Sequence, residues 1–139
     1  MKRILIINGA NLNLLGQREE NIYGSRHFDE FLSALRQKYP NIDISFVQSN
    51  IEGTIVEEIQ NGKDYDGIIL NAGGYTHTSV VIRDAIAAIK TPVVEVHISN
   101  IMAREEFRHT SLLSAVCKGT IFGFGLLSYE LALIALTNR

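Results

Sequence analysis

The sequence predicts an α/β fold, with a doubly wound parallel sheet of five strands covered by helices on both faces. Two observations carry this prediction: five short apolar runs recur along the chain, and segments of helical periodicity separate them. Runs that are apolar at nearly every position are typical of parallel strands buried on both faces. These runs are Arg3–Ile7, Ile42–Val47, Gly67–Leu70, Val93–Val96 and Thr120–Phe122.

Four helical patterns accompany the strands. Three have apolar residues spaced three or four positions apart, as in an amphipathic helix. Their stripes are Phe28, Phe31, Leu32 and Leu35, then Ile51, Ile55 and Ile59, then Val81, Ala85, Ala88 and Ile89. Gly62 suits the residue after the second helix, and Thr91-Pro92 must end the third. Ser128 is the predicted N-cap of a last helix that runs through Leu136.

Alternating strands and helices imply right-handed crossovers between parallel strands. The expected strand order is 2-1-3-4-5, which is the flavodoxin-like order. Ligands of such sheets bind beyond the carboxyl ends of the strands, near the point where the strand order reverses. A length of 139 residues suits one core, so we expect residues 1–139 to form a single domain.

Composition excludes several classes of function. A net charge of −2 gives no basic surface for nucleic acid, and the apolar runs fall far short of the ~20 residues that cross a membrane. The one cysteine, Cys117, cannot form an intrachain disulfide, and the spacing of Cys and His does not suggest a metal site. We therefore expect a cytoplasmic protein that has no metal, membrane or nucleic-acid partner.

The loop after the first strand carries several polar side chains. For Asn8 and Asn13, turn formation and a role in the site are equally good interpretations. The amide of Asn11 can instead donate to negative charge that develops on a reacting oxygen. Arg18 and Tyr23 follow in a short polar segment. A tyrosine with a pKa of roughly 10 is a poor base at neutral pH, but a nearby guanidinium favours its phenolate form. A solvated arginine and a half-buried tyrosine are the structural alternative.

The loop after the third strand contains two glycines and several hydrogen-bonding side chains. Gly73 and Gly74 would let the backbone approach a ligand, and the start of the following helix offers free N–H groups to an anion. Thr76 or Thr78 could instead serve as the N-cap of that helix. His77, at the predicted helix start, suits either a local hydrogen bond or a ligand contact.

The fourth strand has an alternation of charged and apolar residues. A period of two puts Glu95 and His97 on one face, so a buried glutamate would have the histidine as its partner. Glu95 would then orient His97 and keep it basic, although a purely structural ion pair is the alternative. Arg104 and Arg108 follow, four residues apart on one predicted helical face, and such arginines suit an oxygen-rich ligand.

Together these stretches resemble the type II 3-dehydroquinate dehydratases, also called type II dehydroquinases. The resemblance extends from about residue 4 to about residue 136, in order and without large gaps. The matching stretches are 8–16, Arg18 with Tyr23-Gly24, 48–50 with Glu52-Gly53, 75–79, Arg83-Asp84, 93–100, 103–108 and 129–133.

The resemblance implies a reaction and a set of catalytic residues. The family dehydrates 3-dehydroquinate to 3-dehydroshikimate, a step toward chorismate and the aromatic amino acids, without a cofactor. Tyr23, activated by Arg18, would remove the proton beside the ketone, and Asn11 with a bound water would stabilise the enolate. His97 would protonate the departing hydroxyl, and Glu95 would hold the imidazole ring. This division of labour matches the base, enolate stabiliser and acid that the chemistry requires.

The resemblance also implies the residues that bind the substrate. Asn71 and the backbone of Ile98 and Ser99 would bind its carboxylate, and His77 and Arg108 would hold the ring hydroxyls. The family assembles as trimers grouped into a dodecamer. Asp84, two turns beyond His77, would accordingly reach the site of a neighbouring subunit.

This chain departs from the family pattern at four positions. The family usually has proline where this chain has Ala10, Glu20 and Ala72, and it commonly has alanine at Gly74. Less proline and more glycine should loosen the loops of the site.

Two alternative functions share the predicted topology. A receiver-like signalling domain would need acidic residues after the first strand and a phosphorylatable aspartate at the end of the third, where this chain has Asn8 and Asn71. A flavodoxin-like electron carrier would need a Ser/Thr-rich phosphate loop after the first strand. The loop here is rich in asparagine and leucine.

Overall fold

The structure is a computed structural model and describes residues 1–14 and 28–138. These ranges contain five strands and four α-helices. The strands are β1 (Lys2–Asn8), β2 (Ile42–Gln48), β3 (Gly67–Asn71), β4 (Val93–His97) and β5 (Gly119–Phe122). The helices are α1 (Phe28–Lys38), α2 (Glu52–Asn61), α3 (Val80–Ala88) and α4 (Leu127–Thr137).

All five strands join one parallel sheet with the order β2-β1-β3-β4-β5. The predicted fold class and strand order are therefore confirmed. The register aligns Asn8 at the end of β1 with Gln48 of β2 and Asn71 of β3. His97 ends β4 at the same edge, opposite Phe122 of β5. The polar residues that follow β1, β3 and β4 consequently meet at the carboxyl edge of the sheet.

The sheet has an apolar core on each face, which explains the almost continuously apolar strands. Ile4 and Ile6 of β1 pack with α1 and α4, whereas Leu5 and Ile7 pack with α2 and α3. Val94 and Val96 of β4 also face the α1–α4 side. No helix in the described ranges is both long enough and apolar enough to cross a membrane.

The start of α3 differs from the prediction. Residues Gly73–His77 form a 3-10 helix, and α3 begins at Val80, where Ser79 Oγ accepts the amide of Ile82 at 3.1 Å. Ser79 is therefore the N-cap, not Thr76 or Thr78. Because the helix starts later, its phase changes: Val81 and Ala88 are exposed, and the buried side chains are Ile82, Ala85 and Ile86.

Two further helix ends were predicted wrongly. Ser128 lies inside α4 and not at its N-cap, and its Oγ accepts the amide of Phe124 at 3.3 Å. Ile51 is 66% exposed and precedes α2. Gly62 does follow α2, but its φ of −70° is ordinary right-handed backbone. A Cβ there would overlap with Ile68 Cδ1, so a larger residue would require the Ile68 side chain to shift.

Candidate active site

A cavity of about 200 Å³ opens at the carboxyl edge of the sheet, between the loops that follow β1, β3 and β4. It contains most of the substrate-binding residues expected from the sequence, together with Asn11 and His97. Its lining residues are Ala10, Asn11, Leu12, Asn71, Gly73, Gly74, His77, His97, Ile98, Ser99, Ile101, Arg104 and Arg108. Arg18 and Tyr23, predicted as the activated base, and Glu20 lie outside the described residues.

Glu95 and His97 form a buried pair at the wall of this cavity. Both side chains leave the same face of β4, as the period of two predicted, and His97 Nε2 lies 2.5 Å from Glu95 Oε2. Glu95 is fully buried and His97 is 5% exposed. Only His97 reaches the cavity, so Glu95 contacts the site through the imidazole ring.

Hydrogen bonds keep Glu95 ionised despite its burial. Burial by itself would raise the pKa of this carboxyl. It is outweighed by hydrogen bonds from His97 and Ser114, by the charge of His97 and by a hydrogen bond from Ser111. The pKa of Glu95 therefore lies below its ordinary value. An ionised carboxylate only accepts hydrogen bonds. His97 Nε2 must therefore carry a proton, which leaves Nδ1 as the ring nitrogen for chemistry.

His77 lies next to His97 and has a fixed tautomer when it is neutral. Its Nδ1 is 2.8 Å from the carbonyl oxygen of Thr110, and since that oxygen only accepts, Nδ1 must donate. The rings of His77 and His97 stack with centroids 6.3 Å apart and planes 21° apart. Nε2 of a neutral His77 is consequently an acceptor, which suits a ligand hydroxyl.

Two arginines supply positive charge to the cavity, although not from one helical face as predicted. Residues Ile101–Ala103 and Glu106–Arg108 form separate 3-10 helices, and Arg104 lies between them. Glu105 Oε1 accepts Arg108 Nε at 3.0 Å, and Arg104 Nη1 donates to Ser99 Oγ at 3.4 Å. Both guanidinium groups line the cavity, so they favour an anionic or hydroxyl-rich ligand.

Tyr129 is a buried residue near the site and was not among the predicted site residues. Its hydroxyl donates to Asn8 Oδ1 at 2.7 Å and accepts Asn71 Nδ2 at 2.9 Å. Asn71 Oδ1 in turn accepts the amide of Gly73 at 3.2 Å. The orientation of the Asn71 amide at the cavity wall is therefore fixed by α4. A tyrosine in a mostly apolar helix was the available signal, because a buried phenol needs a polar partner.

Asn11 adopts an unusual backbone conformation at the mouth of the cavity. Its φ is 69°, in the left-handed region that asparagine tolerates better than most residues. The amide of Asn11 donates to Asn50 Oδ1 at 2.9 Å, and Gln48 Nε2 donates to the same oxygen at 3.1 Å. The loop after β2 thus positions the residue predicted to stabilise the enolate.

Gly73 and Gly74 both line the cavity, and Gly73 has a second role in the packing of two loops. Gly73 has a φ of 62°, and a Cβ there would lie 2.7 Å from the carbonyl oxygen of Ala10. A Cβ on Gly9 would likewise lie 2.6 Å from the carbonyl oxygen of Ala72. These two glycines allow the loops after β1 and β3 to pack backbone against backbone. Gly74, with open space around its Cβ position, lines the cavity.

Two other predicted features lie away from the cavity. Asp84 is on α3 with a side chain that is 65% exposed, and its nearest charged partner is Arg83 at 3.4 Å.

Burial and the charge of Glu95 raise the pKa of Cys117 to about 12, so its thiol is a poor nucleophile at neutral pH. No cluster of three or more His, Cys, Asp or Glu side chains suited to a metal ion occurs within residues 1–14 and 28–138.

The fold and the site together define a class of protein: a doubly wound α/β protein with a buried acid–base pair at the ligand-binding edge of its sheet. The family model described as dehydroquinase class II matches residues 2–137. A relative from Exiguobacterium sp., named 3-dehydroquinate dehydratase, is 56% identical over 138 residues, which cover 99% of this chain and 95% of the relative.

Solved structures agree with these matches. The type II dehydroquinase from Butyrivibrio crossotus has a TM-score of 0.94 and 45% identity, with 99% of this chain and 98% of that chain covered. The type II dehydroquinase from Propionibacterium acnes has a TM-score of 0.94 and 39% identity, with 100% and 98% covered. The chain belongs to the class II dehydroquinase family.

Proposed function

We propose that this protein is a lyase that dehydrates 3-dehydroquinate to 3-dehydroshikimate through an enolate. The observation that carries the proposal is the buried Glu95–His97 pair, which presents an imidazole to a cavity lined by amides and two guanidinium groups. A family match over residues 2–137 supports this substrate. The elimination needs a base, an enolate stabiliser and an acid, all of which side chains can supply without a cofactor.

In the first step Tyr23, as phenolate, removes a proton from the carbon beside the ketone, and the ketone becomes an enolate. The guanidinium of Arg18 stabilises the phenolate; lowering a tyrosine pKa by about 2 units takes about 2.7 kcal/mol of differential stabilisation. Asn11 and a bound water donate to the enolate oxygen. The contacts of Asn11 with Asn50 support this role, because they fix the backbone from which the amide side chain projects.

In the second step His97 acts as the general acid. The enolate collapses to the enone, the carbon–oxygen bond breaks, and the imidazolium donates its Nδ1 proton to the departing hydroxyl, which leaves as water. Glu95 stays ionised throughout and stabilises the imidazolium through Nε2–H. Tyr23 and His97 then exchange protons with solvent to regain their starting states.

Substrate binding is assigned to the remaining residues of the cavity. The β4–β5 ladder ends at the pair of His97 and Phe122, so the amides of Ile98 and Ser99 lie beyond it and are suited, with Asn71, to the substrate carboxylate. Arg108 and the acceptor Nε2 of His77 suit the ring hydroxyls.

We further infer a homo-oligomer of trimers assembled into a dodecamer, in which Asp84 reaches the site of a neighbouring subunit. The exposure of Asp84 supports this, as do two apolar side chains on the same helix, Val80 and Val81, which are 58% and 52% exposed. A cytoplasmic enzyme of the shikimate pathway is the matching cellular role, and a single cysteine is compatible with a reducing compartment.

The test is an absorbance assay with freshly prepared 3-dehydroquinate and no added metal or nucleotide. We expect the conjugated enone to form, seen as rising ultraviolet absorbance, and no rise with correctly assembled protein would reject the function. Tyr23→Phe should abolish turnover and still bind carboxylate ligands, whereas retained turnover would exclude Tyr23 as the base. Borohydride should trap no substrate on the protein, since a covalent adduct would indicate a lysine mechanism instead.

A further inference from the structure

The carboxylate of Glu95 has a second set of partners on the side away from His97. Its Oε1 accepts Ser114 Oγ at 2.7 Å and Ser111 Oγ at 3.0 Å, and Thr120 Oγ1 lies 3.5 Å away. Two of these hydroxyls come from the segment that leads into β5, and the third comes from β5 itself. Glu95 therefore has hydrogen-bond partners at both oxygens while remaining fully buried.

The number of hydroxyl protons fixes the direction of these hydrogen bonds. Ser111 Oγ accepts the amides of Leu113 and Ser114 at 3.0 and 3.1 Å, so its single proton is free to point at Glu95. Ser114 Oγ lies 3.1 Å from Thr120 Oγ1. If Ser114 donates over its shorter contact to Glu95, Thr120 must donate to Ser114. The protons of both serines then point at the carboxylate, and the proton of Thr120 points at Ser114 Oγ.

We propose that Ser111 and Ser114 are positioning residues that hold Glu95 in the carboxylate form, and that they thereby confine the transferable proton of His97 to Nδ1. A proton on Oε1 of Glu95 would face the protons of both serines, so the protonated acid is disfavoured there. The carboxylate then keeps the proton on His97 Nε2 and leaves Nδ1 to face the reaction. This inference rests on the proposed function, in which His97 is the acid.

Other charged groups near the pair have separate positions and effects. His77 stacks on His97, Arg104 and Arg108 line the same cavity, and Cys117 lies close enough for the charge of Glu95 to raise its pKa. None of these groups has a hydrogen bond to Glu95 among the described residues. The neighbours of Glu95 in the ladders, Leu70 and Thr120, carry no charge. The serine hydroxyls are consequently the uncharged groups through which this carboxylate can be perturbed without changing a charge in the cavity.

The experiment compares Ser114→Ala with Ser114→Thr, which keeps the hydroxyl, and with Ser33→Ala on the exposed face of α1. Ser114 is the better choice because, among the described residues, its hydroxyl has hydrogen bonds only with Glu95 and Thr120, whereas the hydroxyl of Ser111 also accepts two backbone amides. The direct readout is infrared difference spectroscopy during a pH titration, with the C=O band of protonated Glu95 assigned by its absence in Glu95→Gln. We expect Ser114→Ala to raise the protonation midpoint of Glu95 by about one pH unit, the size of one lost charge-assisted hydrogen bond.

The kinetic readout is the ratio of kcat for each variant to that of the wild type. For Ser114→Ala this ratio should be near one at pH 8 and fall at acidic pH, because Glu95 becomes protonated at a higher pH than it does in the wild type. KM should change little, and Ser114→Thr and Ser33→Ala should follow the wild type. Should Ser114→Ala fail to fold, Thr120→Val removes the donor to Ser114 and should produce a smaller shift in the same direction.

An unchanged midpoint in Ser114→Ala, or in Thr120→Val in its place, overturns the inference, as does a kcat ratio that is independent of pH. The infrared titration needs no turnover, so a failure of the proposal about the serines can be distinguished from a failure of the proposed function. A protein that forms the enone but shows no shift contradicts the role of the serines alone. A protein that shows the shift but forms no enone contradicts the proposed function.

Discussion

Glu95→Gln removes a buried negative charge next to His97 and leaves the shape of the side chain almost unchanged. The carboxylate accepts hydrogen bonds at both oxygens, from His97 on one side and from Ser111 and Ser114 on the other. An amide can accept at only one of its two positions. Glutamine must therefore lose the bond from His97 or turn its NH₂ group toward the serine hydroxyls.

The size of the effect follows from the lost charge-assisted hydrogen bond. Such bonds contribute about 1.5–3 kcal/mol, and about 1.4 kcal/mol corresponds to a tenfold change in rate. The imidazolium loses its counter-charge, so kcat at pH 7 should fall roughly 10- to 100-fold. KM should change little because Glu95 does not line the cavity and reaches the substrate only through His97.

The assay is the initial rate of enone formation between pH 5 and pH 10, with Glu57→Gln on the exposed surface of α2 as the matched control. Glu57→Gln removes the same charge far from any buried partner and should behave as the wild type does. In Glu95→Gln the rate should fall across this whole range, because a neutral partner no longer stabilises the charge of the imidazolium. A kcat within twofold of the wild type at every pH would show that the charge of Glu95 does not assist His97.

Three further predictions concern stability and are measured by denaturant unfolding. Gly73→Ala should destabilise the protein by about 1–3 kcal/mol, because the left-handed backbone and the carbonyl oxygen of Ala10 both oppose a Cβ. Gly74→Ala has open space around the new Cβ and should change the free energy of unfolding by less than about 1 kcal/mol. Equal effects of the two substitutions would contradict the packing of the two loops. Tyr129→Phe should cost about 1–3 kcal/mol because two buried amides lose their partner, and a neutral result would exclude that network. The depressed pKa of Glu95 contributes stability that is present above its unfolded value of 4.5 and is lost as pH falls through the lower folded value. Wild type should accordingly lose its advantage over Glu95→Gln below about pH 4.5, and a constant difference from pH 7 to pH 3 would contradict this sign.

The sequence was sufficient to predict the sheet and the edge at which the site lies. The strands are apolar at nearly every position because both faces are covered, and that pattern needs no knowledge of distant contacts. The pairing of Glu95 with His97 followed in the same way, since the period of a strand places both side chains on one face.

Features that depend on distant contacts could not be predicted. Tyr129 is 58 residues from Asn71 and 121 from Asn8, and nothing local to α4 indicates either partner. The conformation of Gly73 depends on the carbonyl oxygen of Ala10 in another loop. The start of α3 was missed because three hydroxyl residues compete as its N-cap, and only the geometry selects Ser79.

The most direct test of His97 as the general acid of this cavity is the dehydration rate of His97→Gln compared with that of the wild type in the enone assay. His97 is the group of the buried pair that reaches the cavity, and glutamine there keeps a hydrogen-bonding side chain without an acidic proton. We expect wild type to turn over 3-dehydroquinate and His97→Gln to lose about 100-fold or more in kcat, the contribution typical of a positioned general acid. A His97→Gln variant with kcat close to that of the wild type would contradict the assignment of this cavity and its acid.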